Sequence, residues 1–182
     1  SPKPSCTLAR LRNRSIKLSF RIGLGVDAHS FAEAAETGGT RKRLILGGVE
    51  IPFEKILLGH SDADVLTHAI TDALLGAAGL EDIGHYFPDI DERYRDADSI
   101  ELLREARTIV GEPWEVANVD AVVICERPKI RDYREVMRGN LAEALGVEPV
   151  RVGVRGTTTE RLGFPGRGEG IAAQAVCLLE SR

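Results

Sequence analysis

The segment GHSDADVLTHAITDALLGAAG, residues 59–79, carries the strongest structural signal in the chain. Its apolar residues recur at steps of three and four, which predicts an amphipathic helix with a broad face against the core. Ser61 is the predicted N-cap, Asp64 follows it at the capping-box spacing, and Gly79 is the predicted C-terminal glycine. Helix formation does not require the polar residues of the N-terminal half, so we expect the chemistry of the protein there.

His68 interrupts the apolar face of this predicted helix. Asp64 and Asp72 lie four residues on either side of it, so a half-buried histidine bonded to one of these aspartates is one interpretation. Asp27 and His29 support another, because their i, i+2 spacing places both side chains on one face of a predicted strand. Two imidazoles and one carboxylate are a recognised zinc set that leaves the fourth position open. Asp27, His29 and His68 are therefore candidate metal ligands.

The bulk composition is typical of one globular domain. The chain has 182 residues, of which 43% are hydrophobic, so it can bury a substantial core. Its formal net charge of −4 argues against a general nucleic-acid binder but is compatible with a local phosphate site. No run approaches about eighteen apolar residues, which predicts no membrane span. Cys6, Cys125 and Cys177 lie far apart and outside any C-x-x-C pattern, which favours a reducing compartment over a disulfide scaffold.

Residues 1–19 are predicted to be a disordered basic extension, and residues 20–182 a single domain. The extension contains five basic residues and neither Asp nor Glu. It lacks the apolar h-region of a secretory signal, but a transit-peptide remnant, a cloning remnant or a linker would have this composition. A nucleic-acid-binding arm is the functional alternative. We expect a cytoplasmic location of the bacterial type, or a plastid location if the extension is a transit-peptide remnant.

Over the whole chain, the pattern of apolar residues, Gly and Pro predicts a strand, a hairpin, two helices, a strand, a helix and two strands. The predicted strands cover about 20–26, 44–46, 49–51, 116–125, 150–154 and 171–179, and the second and third helices cover about 99–110 and 132–145. This order favours an α/β protein of the α+β type, with a mixed β-sheet and helices packed on one face.

Some details of these elements bear on the site. Gly23 and Gly25 lie on one face of the first strand, which indicates that its backbone comes close to another element. The apolar side of the third helix is predicted to consist of Val136, Leu141, Ala144 and Leu145. Residues 30–42 are predicted to form a mobile surface loop, and residues 80–91 a loop that either binds a ligand or is a solvated acidic connector.

Two regions have the chemistry of a phosphate site. His60 and Ser61 lie at the start of the predicted helix, where free N–H groups and the helix dipole favour an anion. In the second region, residues 157–160, three threonine hydroxyls can bind phosphate oxygens while Glu160 offers a hard carboxylate to Mg²⁺. The three threonines are equally explained by ordinary β-propensity, so neither region is decisive alone.

Four stretches in a fixed order decide between these interpretations. They are RIGLGVDAHSF (21–31), LLGHSDADVLTHAITDALLGAAGLEDIGHYFPD (57–89), the Pro128-Lys129 pair and TTTERLGFPGRGEG (157–170). Together they resemble one family along nearly the whole chain, 2-C-methyl-D-erythritol 2,4-cyclodiphosphate synthase. The resemblance implies a cyclising, CMP-releasing phosphorus–oxygen lyase of the non-mevalonate (MEP) pathway of isoprenoid biosynthesis, with 4-diphosphocytidyl-2-C-methyl-D-erythritol 2-phosphate as substrate. It also implies a homotrimer with active sites between subunits, and no nucleic-acid or membrane partner.

The resemblance further implies two metals. Asp27, His29 and His68 match the family's zinc ligands, and Asp27 and His29 also match substrate contacts. Glu160 matches the holder of a second divalent cation, Mg²⁺ or Mn²⁺, which it shares with the substrate phosphates. In that mechanism the metals neutralise phosphate charge while the 2-phosphate attacks the diphosphate, so no protein nucleophile is needed.

Binding residues follow from the same resemblance. The pair assigned to the transition state is His60 and Thr158, and the phosphate contacts before the helix are His60 and Ser61. The methylerythritol site is matched by Asp82, Gly84, Phe87, Pro88, Asp89, Ile90 and Asp91. The cytidine and diphosphate site is matched by Cys125, Glu126, Arg127, Pro128, Lys129, Ile130 and Arg131, with Thr157, Thr158, Thr159 and Glu160. Further ligand contacts near the subunit junction are matched by Phe164 and Arg167.

The sequence departs from the family pattern in a long loop at residues 30–42, in Ala63, which replaces a frequent glycine, and in the first nineteen residues. Two other functions are compatible with parts of this pattern. One is a metal-dependent nucleotide phosphohydrolase, in which water attacks instead of the substrate's own phosphate. The other is a non-catalytic zinc-binding trimer that senses nucleotides or isoprenoid diphosphates, against which Glu160 and Lys129 argue.

Overall fold

The structure is a computed structural model that describes residues 19–33 and 43–181. Three predictions fall outside the described residues. They concern the disordered basic extension, of which only Ser19 is described, most of the mobile loop at residues 30–42, and Cys6.

The elements follow the predicted order, but several strands are longer than predicted. The strands of the described chain are β1 (Phe20–Ala32), β2 (Leu44–Leu46), β3 (Val49–Ile51), β4 (Ile56–Leu57), β5 (Trp114–Ile124), β6 (Val152–Thr157) and β7 (Gly170–Ser181). The helices are α1 (Val65–Ala78), α2 (Ile83–Tyr86), α3 (Ser99–Val110), α4 (Arg134–Leu145) and α5 (Gly163–Gly166). The sequence pattern does not predict β4, α2 or α5, because segments of two to four residues show no periodicity.

Five strands form one mixed sheet in the order β4-β1-β7-β5-β6. Antiparallel pairing joins β1 to β4, β1 to β7 and β5 to β7. Parallel pairing joins β5 to β6, and α4 lies in the crossover connection that such a pair needs. The hairpin of β2 and β3 is a separate two-stranded sheet. The predicted fold class is confirmed.

The helix α3 packs against both α1 and α4, and α1 lies against the central strands β1 and β7. Nearly every side chain of α1 is buried, since the sheet covers one side of it and the helices α3 and α4 cover the rest of the core. Gly79 ends the helix in the left-handed conformation at φ 75°, which confirms the predicted C-terminal glycine. The segment with the strongest sequence signal is thus the centre of the core.

The N-terminal boundary of α1 differs from the prediction. Asp64, not Ser61, is the N-cap, and its carboxylate accepts a hydrogen bond from the backbone N–H of Thr67 at 3.0 Å. The same carboxylate accepts from the N–H groups of Gly47 and Gly48, at 2.9 and 2.7 Å, in the turn between β2 and β3. A carboxylate can satisfy several donors at once, so Asp64 joins the hairpin to the helix in a way that a serine hydroxyl cannot.

The predicted close approach at Gly23 and Gly25 is present. A Cβ atom added to Gly25 would lie 2.0 Å from the carbonyl oxygen of Ala69, and one added to Gly23 would lie 2.1 Å from that of Ala73. Both carbonyls belong to α1. The backbone of β1 therefore packs directly on the backbone of the helix, at a separation that excludes any side chain.

The opposite face of β1 is exposed and apolar. Phe20, Ile22, Leu24 and Val26 alternate with the residues that face α1, and they are 58, 71, 65 and 54% exposed. Four large apolar side chains in one strip are unusual on the open surface of a monomer and mark an interaction site. We call these four residues the β1 strip.

The apolar side of α4 agrees with the prediction at Leu141, Ala144 and Leu145, which are buried, but not at Val136. Val136 is 57% exposed, whereas Met137 is fully buried. The chain enters α4 through a 3₁₀ turn at Arg131–Tyr133, and the α-helix begins at Arg134 rather than near residue 132. In the first turn of α4, Met137 rather than Val136 therefore faces the core.

Cys125 and Cys177 are buried free thiols. Burial raises the pKa of Cys125 to about 11 and the pKa of Cys177 to about 12. Both thiols therefore stay protonated at neutral pH and are poor nucleophiles. Among the described residues, no helix has the length and apolar character needed to cross a membrane.

Candidate metal centre and adjoining cavities

Three side chains converge between β1 and α1. Asp27 and His29 lie on the face of β1 that packs on α1, and His68 lies one turn into that helix. Asp27 Oδ2 is 3.0 Å from His29 Nε2 and 3.0 Å from His68 Nδ1. The two imidazole nitrogens are 3.2 Å apart. The predicted group of Asp27, His29 and His68, which we call the triad, is therefore able to bind a metal ion.

The donor set of the triad fits zinc. Zinc binds imidazole nitrogen and carboxylate oxygen at about 2.0–2.2 Å, and tetrahedral geometry then places neighbouring donors about 3.3 Å apart. The observed separations of 3.0 to 3.2 Å are close to this value. Three protein ligands leave one position for substrate or water, as in catalytic rather than structural zinc sites.

Each imidazole has a partner for its other nitrogen. His29 Nδ1 lies 2.5 Å from the carbonyl oxygen of Leu58, to which it donates. His68 Nε2 lies 2.9 Å from Ser99 Oγ and 3.0 Å from Ser61 Oγ. Partners of this kind fix the tautomer and the ring orientation of metal-binding histidines.

The environment of Asp27 favours its ionised form. Burial raises the pKa of this carboxyl, but the hydrogen bonds and charges of His29 and His68 outweigh burial and hold the pKa below its usual value. Asp27 is thus an ionised ligand at neutral pH, which is the form that binds a metal.

The interpretation of His68 as the partner of Asp64 or Asp72 is wrong. Asp64 is occupied by the backbone N–H groups of the hairpin turn and of α1. Asp72 accepts from the backbone N–H of Ile83 at 2.8 Å. Both carboxylates accept hydrogen bonds from backbone N–H groups. The imidazole of His68 instead contacts Asp27 on β1.

The triad opens into a cavity of about 390 Å³, the triad cavity. It is lined by His29, His68, Gly59, His60, Ser61, Ile83, Gly84, Phe87, Asp89, Tyr94 and Leu102. His60 donates from Nε2 to the carbonyl oxygen of Asp91 at 3.1 Å, which orients its ring. The structure therefore places both predicted phosphate contacts before the helix, and three of the predicted methylerythritol contacts, beside the triad.

Four other predicted methylerythritol contacts do not line this cavity. Asp82 caps α2 by accepting from the N–H of His85, and Ile90 is 89% exposed. Pro88 and Asp91 lie in the same turn as Asp89, and Asp91 is paired with Arg93. These four residues are neighbours in sequence of lining residues but are not part of the cavity wall.

A second cavity of about 470 Å³, the β5–β6 cavity, lies at the carboxyl ends of the parallel strands. It is lined by Cys125, Pro128, Lys129, Ile130, Arg131, Arg134, Gly156, Thr157 and Thr158. This is the predicted cytidine and diphosphate region. Lys129, Arg131 and Arg134 make the wall basic, and the threonine hydroxyls add donors and acceptors.

Glu126 and Arg127, predicted to contact substrate, do not line this cavity. Glu126 Oε1 accepts from the backbone N–H groups of Thr159 and Arg161, both at 3.1 Å. Arg127 lies over the ring of Phe53, 5.6 Å from its centroid. Glu126 therefore holds the loop after β6, and Arg127 packs on the surface.

The loop that Glu126 holds has an unusual backbone. Glu160 and Arg161 adopt positive φ angles of 52° and 67°, which cost energy for residues other than Gly. Glu160 Oε1 accepts from Thr158 Oγ1 at 2.7 Å, so the carboxylate stays close to a cavity wall while remaining exposed. One exposed carboxylate fits Mg²⁺ or Mn²⁺ only if substrate phosphates supply other ligands.

Phe164 and Arg167 line neither cavity in the single chain. Phe164 is 38% exposed, and Arg167 is paired with Glu169 at 2.7 Å. The site residues expected from the sequence also leave out six lining residues, namely Gly59, Ile83, Tyr94, Leu102, Arg134 and Gly156. Only Arg134 had a usable signal, since it lies one turn after Arg131 and both are basic.

Comparisons with known proteins identify the family. The model of the YgbB family matches residues 20–180. The 2-C-methyl-D-erythritol 2,4-cyclodiphosphate synthase of Rubrobacter xylanophilus is 76% identical over 161 residues, which cover 88% of this chain and 95% of that protein.

Two solved structures of related proteins are similar to the structure of this chain. The bifunctional IspDF of Campylobacter jejuni is 41% identical with a TM-score of 0.83, and the match covers 91% of this chain but 43% of that one. The Plasmodium falciparum IspF CDP complex is 35% identical with a TM-score of 0.76, covering 90% of this chain and 97% of that one. The chain therefore belongs to the YgbB family, the family of the 2-C-methyl-D-erythritol 2,4-cyclodiphosphate synthases.

Proposed function

We propose that the chain converts 4-diphosphocytidyl-2-C-methyl-D-erythritol 2-phosphate into 2-C-methyl-D-erythritol 2,4-cyclodiphosphate and releases CMP, in the MEP pathway of isoprenoid biosynthesis. The observation that carries the proposal is the triad, whose donor atoms lie within hydrogen-bonding distance of one another and open into the triad cavity. The family and the CDP complex of the Plasmodium falciparum relative support the same substrate class.

The two cavities divide the substrate between them. The β5–β6 cavity takes the cytidine diphosphate end, where Lys129, Arg131 and Arg134 neutralise the diphosphate and Thr157 and Thr158 bond its oxygens. A basic wall next to a mixed polar and apolar floor is suited to a nucleotide, because the base and the phosphates need different surroundings.

The triad cavity takes the methylerythritol 2-phosphate end. His60 and Ser61 bind the phosphate oxygens, and Phe87 with Gly84 contacts the carbon skeleton. Asp82, Pro88, Ile90 and Asp91, which are neighbours in sequence of the lining residues, add contacts to this end of the substrate. Phe164 and Arg167, which line neither cavity of one chain, contact the ligand across a subunit boundary.

The reaction is an intramolecular phosphoryl transfer. An oxygen of the 2-phosphate attacks the β-phosphorus, a new P–O–P bond forms, and the bond to the α-phosphate breaks so that CMP leaves with its electron pair. His60 and Thr158 bond the reacting phosphates from two sides. Holding both phosphates of one substrate in place makes effective molarities on the order of 10⁵ M or more available. Divalent ions held by the triad and by Glu160 would supply charge neutralisation and polarisation of the phosphates.

The products test this proposal. Incubation with the diphosphocytidyl substrate, Zn²⁺ and Mg²⁺ is expected to give the cyclic diphosphate and CMP in equal amounts, measured by ³¹P NMR and chromatography. Linear methylerythritol phosphates with CMP would show that water is the nucleophile and that the protein is a phosphohydrolase. Nucleotide binding without turnover would instead support a sensor.

We also infer that the working form is a homotrimer with active sites between subunits. His60 lines the triad cavity and Thr158 lines the β5–β6 cavity, and the two cavities share no lining residue. A single chain thus keeps the two proposed transition-state residues in separate cavities. The β1 strip supplies the apolar surface that a stable subunit contact requires.

Sedimentation equilibrium is expected to give three times the chain mass at micromolar concentration. Leu24→Asp places a charge in the β1 strip and is expected to give monomers that bind CDP weakly, because desolvating an unpaired carboxylate opposes association. Val136→Asp is the matched control, since Val136 is equally exposed but lies on α4, on the helical side of the sheet. A wild-type monomer, or a trimer that survives Leu24→Asp, would contradict the inference.

A further inference from the structure

A row of buried polar side chains lies on the side of His68 that faces away from Asp27 and His29. Ser99 is completely buried, and its Oγ is 2.9 Å from His68 Nε2 and 2.5 Å from Asp62 Oδ1. Asp62 also accepts from the backbone N–H groups of Ser99 and Asp64, both at 3.1 Å. Burial and the charge of Asp64 raise the pKa of Asp62, whereas these N–H bonds and the Ser99 hydroxyl favour its ionised form.

With Asp62 ionised and a metal bound to the triad, the proton count fixes the direction of these hydrogen bonds. A serine hydroxyl has one proton to donate, and an ionised carboxylate only accepts. Metal binding through Nδ1 of His68, the nitrogen that lies 3.0 Å from Asp27 and 3.2 Å from His29, leaves the proton of the ring on Nε2. Ser99 then accepts from His68 Nε2 and donates to Asp62.

Ser99 is available for this role because a neighbour caps the helix. Asp98 is the N-cap of α3, and its carboxylate accepts from the N–H of Ile100 at 2.8 Å. The hydroxyl of Ser99 is not needed at the helix end and faces α1 instead. Ser61 Oγ lies 3.0 Å from the same nitrogen of His68, but it has no carboxylate partner of its own among its hydrogen bonds.

We propose that Ser99, backed by Asp62, is a positioning residue that sets the tautomer and the orientation of His68 for metal binding. Metal-binding histidines commonly donate their other N–H to a carboxylate, and losing such a partner costs about 10–100-fold in metal affinity. Here the carboxylate of Asp62 binds the hydroxyl of Ser99, and this hydroxyl binds His68. The other imidazole of the triad has its own direct partner, the carbonyl of Leu58.

Zinc affinity tests the proposal without any substrate. Ser99→Ala leaves His68 without this acceptor and is expected to lower the affinity for Zn²⁺ about 10–100-fold in chelator competition. Ser99→Thr keeps the hydroxyl and is expected to restore affinity. Thr71→Val is the control, because Thr71 is an equally buried hydroxyl of α1 that donates to the carbonyl of Thr67 and does not touch the triad. Its zinc affinity is expected to match wild type.

A second measurement compares wild type with the same variant by NMR. With Zn²⁺ bound, the Nε2–H of His68 is expected to exchange slowly with solvent in wild type, and Ser99→Ala is expected to speed this exchange. Equal exchange rates in the two proteins would overturn the proposal. So would a Ser99→Ala affinity equal to wild type, or an equal loss in Thr71→Val. Because neither readout uses the substrate, failure here is distinguishable from failure of the proposed reaction.

Discussion

His68→Ala is expected to lose stoichiometric zinc and nearly all cyclising activity. The substitution removes one of three donors, and a direct ligand should matter more than a residue that only orients one, for which the loss is about 10–100-fold. Zinc content by mass spectrometry and the rate of CMP release measure the two effects. The thermal midpoint should change little, because His68 faces the cavity and the surrounding apolar residues of α1 keep their contacts.

The matched control is His85→Ala. His85 lies on α2, is exposed, and contacts the edge of Tyr86 rather than the triad. It should keep both zinc and activity. If His68→Ala retains full zinc content, the triad is not the metal site, whatever happens to the rate.

Glu160→Gln is expected to slow cyclisation by about 10²–10³-fold while zinc content and thermal midpoint stay near wild type. The amide keeps the size of the side chain and can still accept from Thr158, but it no longer carries the charge that binds a second cation. Glu160 is exposed and packs against no core residue, so its effect on stability should be small.

A titration with Mg²⁺ or Mn²⁺ separates the explanations for a slow Glu160→Gln variant. Partial rescue at high metal concentration is expected, because the substrate phosphates still offer ligands. Glu105→Gln, at an exposed position on α3, is the control and should be neutral. Normal turnover by Glu160→Gln at every metal concentration would rule out the proposed role, and inactivity accompanied by unfolding would assign Glu160 to the fold.

The parts of the site that follow local geometry could be predicted from the sequence. The alternation of side chains along a strand puts Asp27 and His29 on one face, and the helical repeat puts His68 on α1. The three side chains meet if this face of the strand packs on the helix. Gly23 and Gly25 indicated that packing. The resemblance to a family then implied roles, and many of the residues concerned line one of the two cavities.

The parts that depend on tertiary contacts could not be predicted. Ser61 and Asp64 are both good caps by local rules, and the choice of Asp64 depends on the hairpin turn that its carboxylate also binds. The substrate contact that the resemblance implies for Glu126 stays a prediction, but its role in holding the backbone could not be predicted, because its partners lie more than thirty residues later, at Thr159 and Arg161. Local patterns carry no information on such distant donors.

The direct packing of β1 on α1 has a consequence for which ions the triad accepts. Because backbone meets backbone at Gly23 and Gly25, changes of core side chains cannot widen the gap between the strand that carries Asp27 and the helix that carries His68. The donors are held 3.0 to 3.2 Å apart by the chain itself. That spacing suits an ion with bonds of about 2.0–2.1 Å, whereas Ca²⁺, with bonds of about 2.3–2.6 Å, would have to push the two elements apart. The close packing at the two glycines thus favours a metal ion with short bonds over a larger ion.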